Sequence, residues 1–224
     1  MREAKSGSWF AHILTTAATY GVNVYTALRV PWSKPAWKKY IKTTVSSYWR
    51  SRLLLSMIDK SSVKKIIWPQ SDGKPHGIWL ACHGSPREAR MAEVRARFMT
   101  GRYTCAGSAW IRGPLGKIEL CQMCKNEPET LQHLMVSCQH LNKNSNPIKT
   151  QLLDIFRTAC LPTPENSEEM ISLLLNGDCF YSGKSKGVIR LHKTELRMEA
   201  QHAANRVFGI LDAERQAVLN DLTS

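Results

Sequence analysis

The sequence predicts a mainly α-helical protein, a multi-helix fold with one small Cys/His-stapled module. Three observations predict it. Apolar side chains recur at spacings of three and four along several stretches. Prolines, glycines and short polar residues punctuate those stretches where helices start and stop. Cys121, Cys124, His133 and Cys138 stand in the order C-x2-C-x8-H-x4-C. The chain has 224 residues and is 43% hydrophobic, enough to bury a sizeable core as one domain or two. The expected division is a basic helical region over 1–117, the Cys/His module over 118–141, and a C-terminal helical region over 142–224.

The elements follow in order. Trp9 to Tyr20 reads as a helix that docks Trp9, Ile13 and Leu14 inward. Ala36 to Met57 reads as a second helix, bounded upstream by Pro31 and Pro35. Its apolar stripe is Trp37, Ile41, Val45, Tyr48, Trp49 and Leu53. The aromatics Trp37, Tyr40, Tyr48 and Trp49 offer faces on which single-stranded bases can stack, but their helical period favours core packing. The stretch 68–77 is a turn-rich connector. His76, Cys82 and His83 lack the paired-thiolate spacing of a second metal site and read as a buried Cys between surface histidines. Pro86 to Arg102 reads as a third helix, with Ser85 as N-cap, Pro86 at its first position and Met91, Val94 and Phe98 as the buried line.

Beyond the Cys/His module, Ile148, Leu152, Ile155, Phe156 and Ala159 mark a helix that ends at Leu161-Pro162-Thr163-Pro164. Asn166 and Glu169 resemble a capping box before Met170, Ile171, Leu173, Leu174 and Leu175, and Gly177 closes that helix. Ser182 to Gly187 reads as a flexible loop; it contains Gly-Lys-Ser but lacks the earlier glycine and the strand of a phosphate-binding loop. A long helix is expected from Val188 to Leu211, turning Val207, Ile210 and Leu211 inward. Asp212 then caps a short final helix through Val218 and Leu222. There is no internal repeat.

The Cys/His spacing carries the chemistry. Two thiolates separated by two residues grip one ion from a single turn, and a histidine and a third thiolate close a tetrahedron. Soft and borderline donors of this kind suit Zn²⁺, and four protein ligands leave no open position for a substrate water. One structural zinc is therefore expected on Cys121, Cys124, His133 and Cys138, with Thr130 capping the helix that carries His133. His140 is the rival for the histidine position. Seven cysteines, an odd count, and no secretory signal fit a reducing nuclear or cytoplasmic setting. No apolar run approaches the ~20 residues that span a bilayer.

Charge is the second signal. The formal net charge is +13. Residues 1–117 carry 20 Lys and Arg against 5 Asp and Glu, whereas residues 118–224 carry 11 against 13. Such asymmetry points to a polyanion surface on the first half. The residues expected against phosphate are Lys38, Lys39, Lys42 and Arg50 on one helix and Arg90, Arg95, Arg97 and Arg102 on the next. Guanidinium forks match phosphate oxygens, and backbone contacts need positive charge without base reading. On the second helix Arg90 and Arg97 share a face, as do Arg95 and Arg102 if the helix reaches that far.

Several stretches, in order, carry a family resemblance. They are Ser-Trp-Phe at 8–10, Lys-Pro-Ala-Trp-Lys-Lys at 34–39, Tyr-Trp-Arg at 48–50 and Gly-Lys-Pro-His-Gly-Ile-Trp at 73–79. Arg-Ala-Arg-Phe-Met-Thr-Gly-Arg-Tyr at 95–103 and Glu-Thr-Leu-Gln-His-Leu at 129–134 complete the set. Over most of residues 8–140 the chain resembles the region downstream of the polymerase domain in non-LTR (LINE-type) retrotransposon reverse transcriptases. The resemblance implies zinc at the four CCHC residues and RNA or DNA as partner. A reverse transcriptase core is a further partner if the chain is a piece of a longer polymerase. No paired-aspartate palm motif and no endonuclease domain are present. Asp178 with Lys184, or Asp154 with Glu165, do not form the tight acidic-x-Lys element that a restriction-like nuclease needs. The expectation is a non-enzymatic nucleic-acid-binding protein with neither a small-molecule substrate nor a membrane partner. A zinc-stabilised protein-interaction module, or a retrotransposon remnant without a function, is the alternative.

Overall fold

The computed structural model describes residues 8–58, 66–67, 76–82, 84–105 and 120–221. Most of the connector at 68–77 lies outside them, as does His83. The chain folds as two compact units: residues 8–58 belong to the first and the other described residues to the second. The unit boundary thus falls well before the expected division at residue 117, and residues 118–141 form no unit of their own.

The first unit contains helices α1 (Trp9–Thr19), α2 (Val24–Arg29) and α3 (Lys34–Ile58). Ser8 caps α1, its Oγ accepting from the Ala11 amide at 3.1 Å. Pro35 falls in the first turn of α3, where a missing N–H costs nothing. Aromatic contacts tie α1 to α3, with Tyr20 against Tyr48 at 5.0 Å and against Trp49 at 6.3 Å between ring centroids. The expected inward docking of α1 is not found. Trp9 is 74% exposed, Ile13 is also exposed and Leu14 is only half-buried. On α3 the stripe residues Trp37, Ile41, Val45 and Tyr48 are half-buried, and Trp49 and Leu53 are exposed. Two short helices, α1 and α2, do not suffice to cover the apolar face of the 25-residue α3.

The second unit holds the core. Its elements are α4 (Gly77–Leu80), α5 (Pro86–Met99), a π-helical turn (His133–Ser137), α6 (Gln139–Thr158), α7 (Ser167–Asn176), β1 (Cys179–Ser182), β2 (Gly187–Arg190) and α8 (Thr194–Asp221). Helix α8 runs along α5 and α6. It buries Ala200, Ala203, Ala204, Val207, Phe208 and Leu211 against Val94 and Phe98 of α5 and Leu141, Leu152 and Phe156 of α6. Each fully buried leucine or phenylalanine contributes about 2 kcal/mol.

Some expected boundaries move. Helix α6 begins at Gln139 and runs through Pro147, giving up one ladder bond inside a well-packed helix. The capping box of α7 forms in altered shape. Asn166 Oδ1 accepts from the Glu169 amide at 2.9 Å, but the Glu169 carboxylate receives the amides of Glu165 and Gly183. The expected loop at 182–187 is the turn of an antiparallel hairpin, pairing Cys179 with Arg190 and Ser182 with Gly187. Its strands bury Phe180 beside Phe156. The last helix therefore starts at Thr194, and it continues through Asp212 without a break. Asp212 accepts from the Tyr103 hydroxyl at 3.0 Å, which is a bridge to another part of the core and not a cap.

Buried polar contacts lock the interior. Gly177 ends α7 at φ 76°, and a Cβ there would lie 2.6 Å from Arg95 Nη2 and 2.7 Å from Gln201 Oε1. A Cβ on Gly77, at the start of α4, would also meet the Gln201 side chain, at 3.0 Å. His76 caps α4 by accepting the Ile78 amide on Nδ1 at 3.2 Å. Burial, reinforced by the Arg95 charge and opposed by Asp178, pulls the His76 pKa down to about 4.

Candidate metal centre

The four residues of the CCHC spacing converge. Their ligand atoms all lie within 4.8 Å of one another. The Cys121 and Cys138 sulfurs are 3.9 Å apart, and Cys124 Sγ is 3.3 Å from His133 Nε2. These residues form a group that can hold a metal ion. His140, the rival ligand, is exposed and is not part of the group.

Local backbone chemistry explains the convergence. Leu120 bridges Pro128 across an antiparallel pair, and the Cys121 amide donates to Glu127 O at 2.7 Å. This closes the loop that carries both early cysteines. Lys125 takes a left-handed conformation (φ 59°) directly after Cys124, and its amide returns to Cys121 O at 2.7 Å. The chain then turns at Pro128 and Thr130. Thr130 Oγ1 accepts the His133 amide at 3.1 Å, the expected capping contact. Cys138 stands where the π-helical turn ends and α6 begins, and there its backbone is extended.

Each sulfur faces two backbone N–H groups. Met123 and Cys124 donate to Cys121, Asn126 and Glu127 to Cys124, and His140 and Leu141 to Cys138. Such donors stabilise thiolate over thiol. At Cys124 burial works upward, but the Asn126 and Glu127 amides and the His133 ring outweigh it and bring the pKa down to about 7. At Cys121 burial dominates and pushes it up to about 12, and burial also raises Cys138. Two sulfurs that burial holds as thiols need a nearby cation to become thiolates, and a bound metal ion supplies one. The donor chemistry therefore fits a metal ion.

Residues outside the motif support the ligands. His133 turns Nε2 toward the sulfurs while Nδ1 meets Glu127 Oε2 at 2.9 Å. A carboxylate on the far nitrogen fixes the tautomer and ring orientation of a ligating histidine. Buried Glu129 receives Arg215 Nη2 of α8 at 2.7 Å, pinning the loop to the longest helix. Lys149 reaches back from α6 to Met135 O at 2.7 Å and to Asn142. Burial pulls the Lys149 pKa down to about 8 against the opposing pull of Cys138. Sequence reasoning missed Glu127, Glu129, Lys149 and Arg215, and spacing gives no signal for them. Cys121, Cys138, Leu134 and Met135 belong to the same core cluster as Phe156 and Phe208. The module is thus built into the second unit's interior.

The expected phosphate-facing residues fare unevenly. Lys38, Lys39, Lys42 and Arg50 are exposed along α3. Arg102 is exposed but lies beyond the end of α5, so it shares no helix face with Arg95. Arg90 is exposed and pairs with Glu93 and Asp212, and Arg97 pairs with Glu93. Arg95 requires correction: it is fully buried. It donates to Leu175 O at 2.9 Å, to Gln201 Oε1 at 2.8 Å and to Asn205 Oδ1 at 3.0 Å. Its helix position turns it toward α7 and α8, where no phosphate can reach it. Asp178 is buried between Arg197 and Gln201, Lys184 pairs with Glu165, and Asp154 pairs with Arg157. No helix among the described residues is long and apolar enough to cross a membrane.

No protein-family model, curated protein or solved structure matches the chain.

Proposed function

We propose that the chain is a zinc-stabilised RNA- or DNA-binding protein of the LINE-type retrotransposon kind, with no catalytic role of its own. The observation that carries the nucleic-acid reading is charge segregation. Residues 8–58 hold seven Lys and Arg and no Asp or Glu. Within them Lys39 and Arg50 point away from the apolar stripe of α3, given 100° of turn per residue. Cations presented in this way supply salt-dependent, largely sequence-blind affinity for a phosphate backbone. The ordered resemblance across residues 8–140 supports the same partner.

Zinc is the metal favoured by the donors. Four ligands at zinc's bond lengths, with Zn–S about 2.3 Å, imply sulfurs about 3.8 Å apart on a tetrahedron, close to the 3.9 Å between Cys121 and Cys138. Bound there, zinc would neutralise the thiolates and staple the loop to α6. With all four positions taken by protein, its contribution is folding energy.

Metal analysis of the purified chain, followed by oligonucleotide titration at two salt concentrations, tests both parts. One zinc per chain and a steep loss of affinity with salt are expected. Charge reversal at Lys39 and Arg50 should weaken binding and leave metal content intact. Salt-independent binding, or none, would favour the protein-interaction alternative.

A further inference from the structure

The first unit leaves an apolar groove of about 930 Å³ open among α1, α2 and α3, with Val24 and Leu28 of α2 in its lining. Trp9, Ile13 and Tyr20 line one side, and Trp37, Ile41 and Val45 line the other. Both sets follow helical spacing, so each helix turns its apolar stripe into the same space. Among the described side chains of residues 8–58 none is buried. The Tyr20 contacts with Tyr48 and Trp49 hold α1 against α3 and keep the groove formed. An apolar surface of this kind marks an interaction site in a folded protein.

Charge indicates what fills it. Lys34 lines the groove. Lys38 and Lys42 follow at intervals of four, along the flank of the stripe, and both are exposed. No acidic residue lies anywhere between residues 8 and 58 to neutralise them. A second copy of residues 8–58 would bring seven more cations and no acidic residue, and be repelled. A bilayer presents a broad surface and cannot enter a concave slot walled by helices. Nucleobases carry polar edges, and leaving each edge group unpaired against apolar walls costs about 1–3 kcal/mol.

We propose that this groove docks an amphipathic helix from another protein, with its apolar face down and an acidic flank along Lys34, Lys38 and Lys42. The ridge from Trp9 to Tyr20 spans about 16 Å at 1.5 Å per residue, so three helical turns fill it. Helix-in-groove recognition through anchors at i, i+3/i+4 and i+7 supplies the affinity, and the lysines set orientation and partner choice.

The test uses the full, metal-loaded chain and a fluorescein-labelled synthetic helix of about four turns. The helix carries leucines at i, i+3/i+4 and i+7 and glutamates on one flank. Fluorescence anisotropy should show saturable binding. A version with lysines in place of the glutamates should bind about tenfold or more weakly. Ile41→Asp with Val45→Asp should abolish binding of the acidic helix, with helix content and metal content unchanged. Lys38→Glu with Lys42→Glu, both exposed and harmless to folding, should reverse the preference toward the lysine version. Equal binding of both peptides, or no effect of the charge reversal, overturns the proposal. So does a tryptophan emission shift with phosphatidylserine vesicles, or with oligo(dT), when neither peptide binds.

Discussion

Helices α3 and α8 are the longest in the protein, 25 and 28 residues, and they meet opposite fates. Helix α8 carries small residues, Ala200, Ala203 and Ala204, where it crosses its neighbours. These alanines are buried, and Phe208 and Leu211 reach the core with them. Helix α3 carries bulky aromatics on its stripe and, among the described residues of its own unit, has α1 and α2 for cover. Its Trp49 and Leu53 are about half exposed, at 50% and 47%. The difference shows that amphipathic periodicity fixes which side of a helix faces inward but not whether anything waits there. One unit completes a core from its own elements, whereas the other leaves its apolar side chains exposed.

Substitutions sharpen the contrast, beginning with the largest effect. Cys121→Ser removes a buried thiol of the candidate metal centre that also belongs to the core, and the zinc proposed there would contribute on the order of 10 kcal/mol, as it does to small modules. Loss of about 5 kcal/mol or more is expected, seen as lost metal and a collapsed thermal transition of the second unit. Helical signal from residues 8–58 should remain. Retention of both metal and transition would break the comparison at its strongest point.

Arg95→Leu comes next. It strands the Gln201 and Asn205 side chains and the Leu175 carbonyl that the guanidinium now satisfies, at a cost of about 3–5 kcal/mol in urea unfolding. The salt dependence of oligonucleotide binding should not change. A reduced salt slope with native stability would restore Arg95 to the surface.

A pH effect follows. His76 is held at about 4 in the fold against an ordinary 6.5, so the unfolded chain binds the extra proton first. Its contribution is fully present above about pH 6.5 and is lost as pH falls toward 4. Protonating Nδ1 also breaks the cap to Ile78. His76→Asn keeps a capping acceptor without a titrating ring and should flatten stability across that window, measured by urea midpoints from pH 7 to 4. An unchanged slope would place the titration elsewhere.

The smallest effect is expected in the first unit. Trp9→Ala should cost only about 0.5 kcal/mol despite the size of the side chain, because a mostly exposed residue gives up little buried area. A loss comparable to that at Arg95 would mean that α1 is packed after all.

The legible parts of this protein were those governed by local chemistry. The convergence of the four CCHC residues, the Thr130 and Asn166 caps and the Gly177 stop depend on neighbours within about one or two turns or one short loop, and all are in place. The hairpin at 179–190 escaped because its strands are four residues each and its turn is rich in Gly, Ser and Lys, which also reads as a loop. Arg95 escaped because a charged residue in a basic helix looks like its neighbours until the distant partners Leu175, Gln201 and Asn205 are known. The open face of α3 escaped for the same reason, since burial depends on what the rest of the fold brings to it.

Gln201 carries a consequence for descent. Its side chain fills the space beside Gly77 and Gly177, two positions far apart in the chain. A lineage that acquires alanine at 77 must shorten residue 201 or move α8, and one that acquires it at 177 must displace Arg95 as well. Paired replacements at these three sites, read across genomes, would therefore be an inherited imprint of this packing.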